Sequence, residues 1–173
     1  MKRFLLTAIL SVCALAVSAQ QGPDLHSITF EGASFENSRI DFLNQIKHHL
    51  GWEVVQSLEN GDILSGKYGD YDCIAAVEYT KKYKLPVIIK MSVKCNEGIF
   101  KSAFIWACAR LSKQYGNPVK VEGNPYARVW QPKFQGWETI DAYSGLITIE
   151  KTDLGFDINI CDMVNRMVLD SGN

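Results

Sequence analysis

The chain has 173 residues, 47% of them hydrophobic and 21% charged, with 18 Lys+Arg against 19 Asp+Glu. That length suits one domain of ordinary size, and the ordinary apolar fraction with little net charge excludes a disordered chain. A formal charge of −1 argues against a basic nucleic-acid binder, and 13 Gly and 5 Pro without period exclude collagen-like and low-complexity chains.

The first element is an address. Met1-Lys2-Arg3 is basic, the run from Phe4 to Ala16 is apolar apart from Thr7 and Ser11, and Val17-Ser18-Ala19 ends it with small residues. This three-part layout predicts a secretory signal peptide over residues 1–19, cleaved after Ala19. The run falls short of the roughly 20 residues that a bilayer span needs. Lipidation at Cys13 fits poorly, because Val12 precedes it and the cysteine lies inside the apolar run. The expected mature chain starts at Gln20, and losing Lys2 and Arg3 leaves 16 basic residues against 19 acidic, a net charge of −3. It is expected in the periplasm or beyond, with no membrane span. Neither GxGxxG nor GxxxxGK[ST] occurs, so no nucleotide cofactor is expected.

A single α+β domain is predicted over residues 20–163. His26 to Phe30 reads as a short strand. Ser38 with Asp41 three residues later reads as a capping box, opening a helix whose apolar positions are Ile40, Leu43, Ile46 and Leu50, with Lys47 on the same face. Gly51 stops it as a left-handed cap. Strands follow at Trp52 to Ser57, Ile63 to Tyr68, Asp72 to Thr80 and Leu85 to Cys95, with Asn60-Gly61-Asp62 and Lys81 to Lys84 as turns. The lysine-rich turn reads as a solvated one rather than an anion site. A second helix spans Ile99 to Tyr115 on a stripe of Phe100, Phe104, Ala107, Cys108 and Leu111, and Gly116 with Pro118 ends it. Tyr126 to Gln131, Glu138 to Ala142, Leu146 to Glu150 and Phe156 to Cys161 read as further strands. The tail, 164–173, is expected to be loose beyond one helical turn.

One helix and four strands thus occur twice, over 38–95 and 99–161, the pattern of a duplicated α-β-β-β-β unit. The expected architecture is an antiparallel sheet with two helices packed on one face.

Several segments recur in order: Ile28 to Gly32, the helix Arg39 to Leu50 with Gly51-Trp52, Gly66-Lys67-Tyr68-Gly69 ahead of Cys73, Lys113 to Pro118, and Gly145 to Ile149. With the Ala19/Gln20 junction, the chain resembles a group of small uncharacterised exported proteins of Bacteroidota-type Gram-negative bacteria. The turn at Lys81 to Lys84 is more basic than that resemblance implies. The helix-plus-four-strand layout is also similar to exported inhibitor-like and PepSY-like folds. The resemblance implies a compartment and a fold and carries no activity.

Catalytic chemistry finds little support. His26, His48 and His49 are the only histidines, and adjacent helical residues point about 100° apart, so they form no i,i+4 metal pair. HExxH, GxSxG and calcium-loop spacing are absent, and pairs such as Asp70 and Asp72 or Glu138 and Asp141 are expected by chance among 19 acids. No metal site is expected. Cys73, Cys95, Cys108 and Cys161 contain no CxxC and allow three disulfide connectivities. Cys73 and Cys95, on neighbouring predicted strands, form the candidate disulfide; Cys108 reads as a buried apolar residue.

The candidate binding residues are aromatic. Trp106 lies on the flank of its helix with Arg110 and Lys113, either as a contact residue or packed at the sheet edge. Trp130 and Trp137 flank a loop carrying Phe134, with Tyr126 and Tyr143 nearby. The sequence therefore points to a non-catalytic exported protein that binds a protein or peptide partner. The alternative is a glycan or small ligand stacked on the aromatic region 126–143; an enzyme with an unrecognised site is the remote one.

Overall fold

The computed structural model describes residues 28–132 and 144–170. The predicted signal peptide, His26, the strand at Glu138 to Ala142, Phe134 and Trp137 lie outside the described residues.

The chain opens with a small hairpin of β1 (Thr29–Phe30) and β2 (Ala33–Ser34), whose turn residues Glu31 and Gly32 both have positive φ. Helix α1 (Arg39–Leu50) starts as its capping box predicts. The Ser38 hydroxyl accepts from the Asp41 amide and donates to the Asp41 carboxylate at 2.7 Å, and Gly51 in the left-handed region donates to the Lys47 carbonyl. The buried face differs from the predicted one. Phe42 and Ile46 are the helix's buried residues, Leu43 and Leu50 pack at its margin, and Ile40 is 72% exposed. The reason is Phe35, a core residue just after β2, whose ring meets Phe42 edge-on at 5.6 Å and turns the helix toward it.

Four strands follow as a meander: β3 (Glu53–Leu58), β4 (Gly61–Tyr68), β5 (Tyr71–Tyr79) and β6 (Pro86–Lys94). The first turn is tighter than predicted. Leu58 pairs with Gly61, so Glu59 and Asn60 alone form it, and Asp62 belongs to β4. Helix α2 (Glu97–Tyr115), capped by the Asn96 side chain, leads to β7 (Val119–Lys120), β8 (Ala127–Trp130), β9 (Gly145–Thr152) and β10 (Gly155–Asp162). The two-residue β7 was not anticipated from the sequence. Helix α3 (Met163–Asp170) extends the single helical turn expected there to eight residues. It is tied down by buried Asn165, whose amide donates to Asp162 Oδ1 and whose Nδ2 donates to the carbonyls of Phe35 and Pro86.

The eight longer-range strands form one antiparallel sheet in the order β3-β4-β5-β6-β10-β9-β8-β7. Each half is a helix followed by a meander of four, and the two meanders meet at β6 and β10, where Met91 pairs with Ile158. In each half the chain runs from an outer strand inward to this central ladder.

Alternate residues of β5 are buried, whereas β6 is buried continuously from Pro86 to Ile89 and alternates beyond it. Cys73, Ala75, Val77 and Tyr79 of β5 and Ile89, Met91 and Val93 of β6 are buried in a core shared with Phe42 and Ile46 of α1 and Phe100, Phe104 and Leu111 of α2. Both helices therefore cover the same sheet face. Ladder partners share a face, so Ser65, Ile74, Ser92, Asp157 and Glu150 run as one row across the other face. Among the described residues, no helix is long and apolar enough to cross a membrane.

Candidate binding surface

The two aromatic candidates among the described residues, Trp106 and Trp130, are used internally. Trp130 is fully buried; its indole N–H donates to the Gly116 carbonyl at 3.0 Å and so satisfies an orphan acceptor at the end of α2. That corrects the expectation that Trp130 offers a stacking surface. Trp106 does lie beside Arg110, but it is half-buried, edge-on to Tyr68 at 5.1 Å and lodged against the β4–β5 turn. Gly69 makes this approach possible: at φ +64, any Cβ there would lie 2.5 Å from the indole. Arg110 sits 5.6 Å above the same indole and forks onto Glu31 through Nε and Nη2. Tyr126 packs edge-on against Phe100 and Phe104.

The four described cysteines are free thiols. Cys73 stands opposite Val93, so Cys95 lies two residues farther along β6's direction rather than across the ladder. Burial pushes the Cys73 thiol up to about 12, with the nearby Asp72 charge adding to the effect. His48 and His49 meet edge-on, and no group of three or more metal-ligating side chains exists among the described residues.

What the molecule presents instead is an edge. All six residues of β3 are exposed, and it pairs with β4 alone. Half the amides and carbonyls of such a strand face away from its neighbour. The opposite edge, β7, is only two residues long. Three apolar side chains stand open on β3: Val54, Val55 and Leu58, at 43%, 60% and 50% exposure. A bulge between Val54 and Gln56 shifts the register there.

Beside this edge, a groove of about 290 Å³ runs between α1 and β3. Ile40, Leu43, Val54, Leu64 and Trp52 line it, and the Lys47–Glu53 ion pair at 2.9 Å closes one rim. The Trp52 indole forms its floor, held by an N–H bond to the Lys67 carbonyl at 2.8 Å. Gly66 allows this, since a Cβ there would overlap the indole ring.

Arg39 fixes the position of the edge. Its guanidinium donates to both oxygens of Asp62, at 2.8 and 2.6 Å, and to the carbonyls of Leu58, Glu59 and Gly61. Ser57 donates to Asp62 as well, at 2.7 Å. The β3–β4 hairpin is thus latched to the first turn of α1. The Asp62 hydrogen bond and charge hold the Arg39 pKa above its ordinary value against the lowering effect of burial. Ser38 and Asp41 of the cap carry a local spacing signal, whereas Arg39 and Asp62, 23 residues apart, carry none.

No family model matches the chain, and the searches of curated proteins and of solved structures found no match either.

Proposed function

We propose that the chain is a non-catalytic exported binding protein that engages an extended segment of a protein or peptide partner along β3. The observation that carries this reading is the six-residue edge strand, exposed throughout and flanked by an apolar groove. An unpaired strand edge is best satisfied by the backbone of another strand, which supplies affinity, while side-chain pockets supply selectivity. An added strand would place alternate side chains over the groove, where Ile40, Leu43 and Val54 favour an apolar residue. Export rests on the basic start, apolar run and small-residue end of residues 1–19.

The test is selection from a library of displayed linear peptides, followed by titration of the winners against the wild type, Val55→Lys and Ile40→Asp. Both substituted side chains are exposed, so the fold is expected to survive. Peptides that bind the wild type and lose at least about tenfold in affinity with either variant support the reading. Failure to select any peptide, or peptides indifferent to both variants, overturns it. Sedimentation of the free protein separates a second copy of the chain from a foreign peptide as the occupant.

A further inference from the structure

The two-helix, two-meander arrangement creates a second groove, and it differs from the first in charge. In α1 the ridge beside the outer strand carries Ile40, Leu43 and Lys47, and Lys47 is neutralised by Glu53. In α2 the corresponding ridge carries Lys101, Phe104, Ile105 and Cys108, residues at helical spacing on one face. It faces Tyr126 and Arg128 across an opening of about 300 Å³.

Phe104 and Tyr126 form the inner wall, edge-on at 5.7 Å, and Ile105 is 58% exposed at the mouth. Arg128 uses only Nη1, which donates to the carbonyls of Pro125 and Ala127 at 2.9 and 2.6 Å. Its Nε and Nη2 are turned to no protein acceptor among the described residues, and Lys101 has no carboxylate partner there either. Two cations without a carboxylate partner among the described residues, set beside an apolar wall, are the complement of an anionic head on an apolar body. Cys108 adds a reporter. Burial raises its thiol to about 11 even though Arg128 pulls it down, so little of it is thiolate at neutral pH and it reacts slowly, at a rate that a ligand covering it would lower further.

We propose that the pocket between α2 and β8 binds a small amphiphilic carboxylate, its head paired by Lys101 and Arg128 and its tail on Phe104, Ile105 and Tyr126. This site is separate from the β3 edge and does not depend on strand addition there.

The experiment titrates the purified chain with decanoate below its micelle concentration, with decanol as the neutral control, by calorimetry and by alkylation of Cys108 with N-ethylmaleimide. The expected result is saturable one-to-one binding of decanoate, at least tenfold weaker binding of decanol, and slower alkylation of Cys108 on addition of decanoate. Lys101→Gln and Arg128→Gln should each weaken decanoate several-fold, and Cys108→Trp, which fills the pocket, should abolish it. Circular dichroism confirms that each variant is folded; Lys101 is exposed, so its variant keeps the test available if Arg128→Gln unfolds. Equal affinity for decanoate and decanol, no saturable binding, or binding unchanged in both Lys101→Gln and Cys108→Trp overturns the proposal.

Discussion

At the residue scale, the contrast between Arg39 and the aromatic residues is instructive. Asp62 has no exposed side-chain surface, and its charge is supported by Arg39 and Ser57. Removing one partner of a buried pair leaves an uncompensated charge, so Arg39→Met is expected to lower stability by about 3 kcal/mol, measured by urea unfolding. An Arg39→Met/Asp62→Leu double variant should recover part of that loss; if it is worse than the single variant, the burial argument fails. The cysteines give a pH prediction. Cys73 is raised from an ordinary 9.0 to about 12, mainly by burial. A thiol with a raised folded pKa stabilises the fold while protonated, so its contribution is complete below pH 9 and is lost as the pH climbs toward 12. Urea midpoints should therefore fall over that window, and Cys73→Ala should flatten the early part of the fall. An unchanged slope in the variant would assign the loss to the buried tyrosines, whose pKa values burial also raises.

At the scale of elements, the packing of α2 accounts for residues that looked functional in the sequence. Trp130 closes the C-terminal end of α2 through Gly116, and Trp106 wedges α2 against the β4–β5 turn. Trp130→Phe keeps most of the buried ring and deletes one donor. It should cost about 1 kcal/mol in thermal or urea unfolding and leave both proposed binding activities intact. Loss of ligand binding with unchanged stability would return Trp130 to the list of contact residues. The edge strand illustrates the converse. Glu53 to Leu58 reads as an ordinary strand, and nothing in those six letters announces that it has a neighbour on one side only. Strand order is a long-range property, so edge status has no local signature.

At the scale of the whole molecule, the two halves share one core and one sheet. The β6–β10 ladder joins them in seven residue pairs from Gly155↔Lys94 to Cys161↔Ile88. Central strands of a continuous sheet open only with global unfolding, whereas edges open locally. Hydrogen exchange should show the slowest amides in β5, β6 and β10 together, and fast exchange in β3 and β7. Separate slow classes for β5–β6 and β10 would mean that the halves unfold independently.

The local grammar of the chain is legible in its residues. Ser38 with Asp41, Gly51 and Gly116 mark three of the four helix ends, the Asn96 cap lying ahead of the start expected at Ile99, and the alternation in β5 marks its inner face, because capping and period-2 burial depend on neighbours a few residues away. The four strands of the first half and β8, β9 and β10 of the second were legible for the same reason; β7 was not, and the strand expected at Glu138 to Ala142 lies outside the described residues. Long-range packing set the rest. It turned α1 so that Phe42 rather than Ile40 is buried, paired Arg39 with Asp62, enclosed Trp130, and left β3 and the Lys101–Arg128 pocket open. Each of these depends on which distant segment arrives beside a residue, and that is settled by packing of the whole sheet and its helices.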